Sequence, residues 1–263
     1  MLIKLFPLFL AWFGGTAPAD PPVMKPAPVL RAQPAEKAPA QPTAGAIRIA
    51  PNAADAVVKG VQNFYKSTNQ LTAKFRQSNY NKTFGMPTVN DGKVYLKKPG
   101  KMRWDYFSKR DKSKVSRSQM SDGKMIWAVD INGKWYYKQS LAQSALPVAV
   151  TFMSGKGDLA RAFDARLVTG SKHGGGGDRV LELTPKKPSA QFKTLVLVVD
   201  ATSFRVKKSI VTTATGDTNE FSFFEPDLAR TVADNWFVFN PKAAKGFREI
   251  KRASAPRPAN LPK

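Results

Sequence analysis

The chain has no cysteine and a single histidine among 263 residues. Without thiols there is no disulfide framework, no cysteine nucleophile and no Cys₂His₂ or Cys₄ zinc site, and one imidazole is too few for a His₃ metal site. Acidic residues are scarce as well: 19 Asp+Glu stand against 42 Lys+Arg, a net charge of +23. They sit mostly in turns, as at Asp91, Asp122, Asp217 and Asp227, so a paired acid–base site finds no support. His173 precedes Gly174 to Gly177, superficially like an oxyanion loop, but no G-x-S-x-G elbow accompanies it and four glycines read better as a hairpin tip. No catalytic residue, metal ligand or cofactor is expected, and the chain is not read as an enzyme.

Long apolar runs are also missing. The N-terminal run Leu5 to Phe13 is well short of the ~20 residues that cross a bilayer. It follows Lys4 and leads to Ala17-Pro18-Ala19, which predicts a cleaved secretory signal peptide over 1–19 and an exported mature protein. From Asp20 to Pro51, eight of 32 residues are Pro and eight are Ala with no periodicity, which describes a disordered linker over 20–51. A basic, Pro-containing tail is expected over 251–263, leaving a folded body at 52–250. Most of the charge belongs to that body, since residues 46–252 hold 36 basic against 17 acidic residues, a net +19.

Hydropathy patterning gives the fold class. Val57, Val58, Val61, Phe64 and Tyr65 recur at helical spacing, which predicts one leading helix over Asn52 to Ser67. The period then changes to two: Leu71, Ala73 and Phe75; Val94 and Leu96; Met102, Trp104 and Tyr106. Asp91-Gly92, Pro99-Gly100, Asp122-Gly123 and Asn132-Gly133 read as turns of an antiparallel meander. Ser140 to Ala162 breaks the alternation around Pro147 and Gly155 and reads as two short helices. Further strands are expected over Arg179 to Thr184, Phe192 to Val199, Phe204 to Thr213, Asn219 to Phe224 and Trp236 to Phe239. The sum is a mainly β (α+β) chain, an unclosed antiparallel barrel of about ten or eleven strands whose few helices form a lid.

Two surfaces carry function in this reading. The basic stretch from Lys97 to Arg117, with Tyr95 and Phe107 beside it, could face a polyanion; export argues for an anionic membrane surface, touched transiently, and against nucleic acid. The second is apolar. Met102, Trp104 and Tyr106 share one strand face and Met125 and Trp127 another, and with Leu141, Leu146, Phe152 and Met153 from the insert they are expected to line one concave cavity for an apolar ligand. One helix and a short insert are little cover for about ten strands. Lys98 falls on the Val94 and Leu96 face, where a charge should have a partner.

The order and spacing of several segments resemble the LolA family of periplasmic lipoprotein carriers. They are Leu71-Thr-Ala-Lys-Phe75-Arg-Gln77, Gly92-Lys-Val-Tyr-Leu-Lys-Lys-Pro99-Gly100-Lys-Met-Arg103-Trp104, and Ser121-Asp122-Gly123-Lys-Met-Ile-Trp127. Late in the chain Leu181-Glu-Leu-Thr-Pro185, Phe221-Ser-Phe223, Phe237-Val-Phe239-Asn-Pro241 and Gly246-Phe247 continue the series. The resemblance implies an acyl-chain cavity under a helical lid, with Lys98 at the position of the family's basic lid latch. It further implies a monomer that accepts lipoproteins from an inner-membrane lipoprotein-releasing ABC transporter and passes them to an outer-membrane acceptor. An envelope lipid or lipopolysaccharide binding or sensor module without handover is the alternative on the same fold, and an envelope hydrolase is a third for which no nucleophile site is visible.

Overall fold

A computed structural model describes residues 51–141, 152–153, 157–188 and 192–250. The expected signal peptide, nearly all of the linker, the tail, Leu146 and most of the Ser140 to Ala162 insert lie outside them.

Helix α1 spans Pro51–Ser67 and starts on its proline, a residue whose missing N–H costs nothing in a first helical turn. Its apolar stripe, Val57, Val58, Val61 and Tyr65, is buried as the spacing predicts. Twelve strands follow: β1 Gln70–Tyr80, β2 Pro87–Lys97, β3 Lys101–Phe107, β4 Val115–Asp122, β5 Met125–Asp130 and β6 Trp135–Ser140. Helix α2, Leu159–Ala162, leads into β7 Phe163–Leu167, β8 Asp178–Pro185, β9 Thr194–Asp200, β10 Val206–Thr212, β11 Thr218–Asp227 and a terminal β12 Arg248–Glu249. They form one sheet in the order β12-β6-β5-β4-β3-β2-β1-β11-β10-β9-β8-β7, antiparallel except where β12 joins β6 in parallel. The sheet is unclosed, with β7 at one end and β12 at the other.

Three local expectations are corrected. Asp91-Gly92 is not a turn: β2 runs straight through it, with Asp91 opposite Arg76 and Gly92 opposite Phe75. A Cβ on Gly92 would lie 2.2 Å from the Asp105 carbonyl oxygen and 2.4 Å from the Phe75 ring, so this glycine makes room for a ring inside the sheet. Trp236 to Phe239 is not a strand; Asp234–Phe237 forms a 3₁₀ turn, a case where a short apolar run has no period to decide its type. The strand count is twelve because β7, whose Phe163, Ala165 and Leu167 alternate with Asp164 and Arg166, follows α2 without a break, and β12 is only two residues long.

The register sorts the sheet into two faces. On the inner face lie Leu71, Ala73 and Phe75 of β1, Val94 and Leu96 of β2, and Met102, Trp104 and Tyr106 of β3, all buried. Across the sheet, Leu181, Leu183, Leu195 and Leu197 of β8 and β9 join the same core. Helix α1 packs on β7, β8 and α2 and supplies the apolar cover. A second, smaller core lies on the outer face, where Met120, Trp127, Val129 and Tyr136 are packed by Phe239 and Phe247 of the segment after β11.

Candidate functional site

The apolar inner wall rises from the strand period alone. Phe75 stands edge-on to Trp104 (5.3 Å between ring centres) and to Tyr106 (5.1 Å), and Trp104 meets Phe221 at 5.2 Å. Bulky groups at every second position of β1, β3 and β11 thus interlock across three strands, each adding roughly 1.5–3 kcal/mol when buried. Tyr65 at the end of α1 reaches into this wall. Its ring meets Phe152 edge-on at 5.4 Å, and its hydroxyl accepts the Val206 N–H at 3.3 Å. Burial pushes that hydroxyl's pKa far above the ordinary tyrosine value, so it stays neutral.

The polar links between α1 and the rest are few. Gln62 Nε2 donates to Asp158 Oδ1 at 3.1 Å, the same carboxylate that caps α2 by accepting the Arg161 N–H at 3.0 Å. The Arg161 N–H, followed by Gln62, holds the Asp158 carboxyl below its usual range. From the sheet, Lys98 Nζ donates to the Lys66 carbonyl in the last turn of α1. That carbonyl belongs to the unpaired negative end of the helix, where a lysine ammonium is favoured. Between Lys98, Tyr65, Leu96 and Met153 the closed arrangement leaves a cleft of only about 10 Å³.

Farther along β1 the inner face turns polar. Past Phe75, the same side of β1 carries Gln77, which is wholly buried, and Asn79; Asn90 of β2 lies opposite Gln77 and Asn219 of β11 opposite Asn79. Gln77 Nε2 donates to Asn219 Oδ1 at 3.1 Å and to Asn79 Oδ1 at 3.4 Å. Nearby, the Arg117 guanidinium stacks 4.3 Å from the Tyr106 ring, and burial lowers the Arg117 pKa. The inner face of β1 and its two neighbours is therefore apolar toward the Pro99-Gly100 turn and amide-lined toward the β1–β2 hairpin. Sequence reasoning missed the amide-lined part, although the two-residue step from Phe75 to Gln77 and Asn79 points to it.

The expected cavity residues separate. Met102, Trp104, Tyr106, Phe152 and Met153 share the inner core, with Leu141 partly buried against it. Met125 and Trp127 do not: Met120 pairs with Trp127 and Ser121 with Ile126, so Ile126 faces inward and Met125 and Trp127 face out, against Phe239 and Phe247. A shift of one residue in register sends a whole strand to the other face, and the alternation of β5 alone could not say which face it was. His173 lies in the loop joining β7 to β8, its N–H donating to Ser171 Oγ at 3.2 Å. No cluster of three or more metal-ligating side chains occurs among the described residues, and none of their helices is long and apolar enough to cross a membrane.

The family model described as outer membrane lipoprotein carrier protein LolA matches residues 66–240. An outer-membrane lipoprotein carrier protein of Dechloromonas aromatica (strain RCB) is 22% identical over 186 residues, covering 71% of this chain and 84% of the relative. A protein of the same description from Methylobacillus flagellatus is 25% identical over 140 residues, 53% of this chain, which spans 64% of that relative's length. Among solved structures, a LolA superfamily protein from Nitrosomonas europaea aligns with a TM-score of 0.39 at 12% identity, over 71% of this chain and 97% of its own. The family model covers the span from the end of α1 through the 3₁₀ turn, and the chain belongs to the LolA family.

Proposed function

We propose that this protein is a periplasmic, non-enzymatic carrier that takes the acyl chains of lipoproteins between the inner face of its sheet and α1. In this reading it receives them from an inner-membrane lipoprotein-releasing ABC transporter and delivers them to an outer-membrane acceptor. Family membership carries the reading, and the inner face supports it. Met102, Trp104, Tyr106, Phe152, Met153 and Leu141 present apolar surface under a helix that no covalent bond and few polar contacts fasten. Lys98 is the latch: its bond to the end of α1 favours the closed, empty state, and an acyl chain that displaces α1 from the wall breaks it. No step needs a nucleophile or a metal.

Titration with an environment-sensitive acyl probe tests the site. Each bulky apolar group set against a chain is worth roughly 1.5–3 kcal/mol, so a charge in its place, Met102→Glu, should lower affinity by at least about tenfold. Met102→Ala, a milder change, should show a smaller loss, and near-ultraviolet circular dichroism checks that both variants remain folded. Equal affinities in folded variants would sink the inner-face site. Lys98→Leu should keep or strengthen uptake and slow handover to an acceptor, because closure no longer competes with the ligand. Uptake without any handover in the wild-type protein would favour a lipid-binding module over a carrier.

A further inference from the structure

The tip of the β1–β2 hairpin is unlike the rest of the surface. Phe84 is 74% exposed and Met86 77%, and beside them Tyr80 and Val89 are exposed on the outer face of β1 and β2. Ile131, in the β5–β6 turn, is exposed at the same end of the sheet. Five of the ten exposed large apolar side chains among the described residues thus lie at the end of the strands that carries the β1–β2, β3–β4, β5–β6, β8–β9 and β10–β11 connections. Those five connections hold nine basic residues and two aspartates, Asp111 and Asp217. Four of the cations, Lys109, Arg110, Lys112 and Lys114, are on the neighbouring β3–β4 hairpin, which Lys112 ties to β2 through Asp91 at 2.7 Å.

The tip is built rather than slack. Asn81 Oδ1 accepts the N–H groups of Thr83 (2.9 Å) and Phe84 (3.1 Å), the Gly85 N–H closes onto the Asn81 carbonyl at 2.9 Å, and the Lys82 N–H donates to Asp217 Oδ1 of the β10–β11 turn at 2.8 Å. Gly85 has φ of 69°, the left-handed conformation that closes the loop. Fixed backbone bonds therefore hold Phe84 and Met86 out, where about three-quarters of each stays in water.

We propose that this end of the sheet docks on an anionic phospholipid bilayer, Phe84 and Met86 entering the headgroup–acyl boundary while the surrounding lysines meet the lipid phosphates. An apolar wedge ringed by cations matches a negatively charged bilayer in both of its terms, burial and surface potential. A protein partner fits less well. Eight of the nine cations are Lys, the strongly hydrated cation depleted from protein interfaces, and the apolar groups stand on a convex tip rather than lining a groove. The inference is independent of the acyl-site reading, since none of these residues lies on the inner apolar wall.

The absence of cysteine makes the test site-specific. Phe84→Cys in the full chain, labelled with a solvatochromic thiol-reactive dye, should shift to the blue and be quenched by spin-labelled lipid when vesicles of phosphatidylcholine mixed with phosphatidylglycerol are added. The same dye at Thr202→Cys, exposed in the turn before β10 at the opposite end, should not respond. Phe84→Ser with Met86→Ser should weaken vesicle sedimentation by about tenfold. Lys109→Gln with Arg110→Gln should weaken it less and reduce its salt dependence. No shift at position 84, equal shifts at both positions, or equal binding to pure phosphatidylcholine vesicles would overturn the proposal. So would binding to an acidic polypeptide such as polyglutamate in place of vesicles. Vesicle binding lost in the Phe84→Ser/Met86→Ser variant with acyl-probe uptake intact separates this inference from the carrier reading.

Discussion

The sheet has a cover on each face, and ion pairs fasten only the outer one among the described residues. Inside, α1 lies on an apolar wall and adds, among the described residues, the Gln62 bond to the Asp158 carboxylate, the Tyr65 bond to the Val206 N–H and the Lys98 link to its own last turn. Outside, the strap from Leu228 to Ile250 crosses β2 to β6 on an apolar anchor, Phe237, with Phe239 and Phe247, and adds directional, charged contacts. Asp234 takes Lys97 at 2.8 Å and Lys101 at 2.6 Å, and Lys97 Nζ also donates to the Val232 carbonyl at 2.7 Å. The Arg103 guanidinium stacks 4.1 Å from the Trp236 ring and donates to the Trp236 carbonyl at 3.0 Å. Beneath, Arg103 is paired with the buried Asp105, which also accepts from Ser118 Oγ at 2.5 Å. Apolar contact is non-directional, so an acyl chain can replace α1 at little cost; it cannot replace an ion pair or a strand. On the proposed carrier reading, the inner cover is the one that cargo exchanges and the outer one stays.

The largest effect should come from the outer cover's apolar anchor. Phe237 is completely buried, and Phe237→Ala should cost about 3–5 kcal/mol in urea unfolding, free the strap to proteases and leave acyl-probe uptake unchanged. A loss below about 1 kcal/mol would mean that the strap is an ornament of the fold. Arg103→Leu comes next. It removes the stacking and the carbonyl bond and strips the buried Asp105 of its cation, so about 1.5–3 kcal/mol is expected, the Ser118 bond limiting the loss. Stability equal to wild type would show that Asp105 finds other compensation.

Much of this division could be read in the residues, and the failures have a common cause. The α1 stripe, the alternation in β1, β2 and β3, and the reversals at Pro99-Gly100, Asp122-Gly123 and Asn132-Gly133 are local properties, and all three kinds of signal fold as expected. Local chemistry also misled at Asp91-Gly92, a pair that makes a good turn in isolation, because the demand on Gly92 comes from Phe75 and Asp105 on neighbouring strands. Trp127 faces outward against expectation because alternation fixes which residues share a face but not which face it is; that depends on register with β4. The strap was legible only as a run of aromatics, since what gives Phe237, Phe239 and Phe247 their role is an outer sheet face that no single segment describes. Lys98 stands beside an apolar face where a charge calls for a partner, and its Nζ donates to the Lys66 carbonyl.

A smaller effect should sharpen the account of the inner cover. Gly60 sits in α1 against the Phe204 ring, and a Cβ there would come 2.3 Å from a ring carbon; Phe204 itself has φ of 60°, uncommon for a bulky residue. Gly60→Ala should gain up to about 1 kcal/mol in helix propensity and lose about 1–3 kcal/mol in overpacking. A net loss of about 1 kcal/mol is expected, with α1 pushed off the wall and faster uptake of an acyl probe. A gain in stability would mean that the Phe204 ring swings aside freely and does not set the seat of α1.

The smallest effect concerns the ionic anchor of the strap and is best read as a titration. Lys101, then Lys97, hold the Asp234 carboxyl at a pKa of about 2, below its usual value of 3.8. A carboxyl with a folded pKa below its unfolded one contributes stability that is complete above the unfolded value and is lost as pH falls through the folded value. For Asp234 the window lies between about pH 4 and pH 2, so the strap keeps its two lysine contacts through mild acid and gives them up only in strong acid. The carboxylate is largely exposed, which keeps the stability change small and makes its midpoint the better observable. Carboxyl-carbon NMR should place that midpoint at about 2 in the wild-type protein, with Lys101→Gln raising it more than Lys97→Gln and the double variant restoring an ordinary carboxylate. An ordinary midpoint in the wild-type protein would mean that the lysines are solvated in solution, and that Arg103, Phe237 and the β12 pairing hold the strap without them.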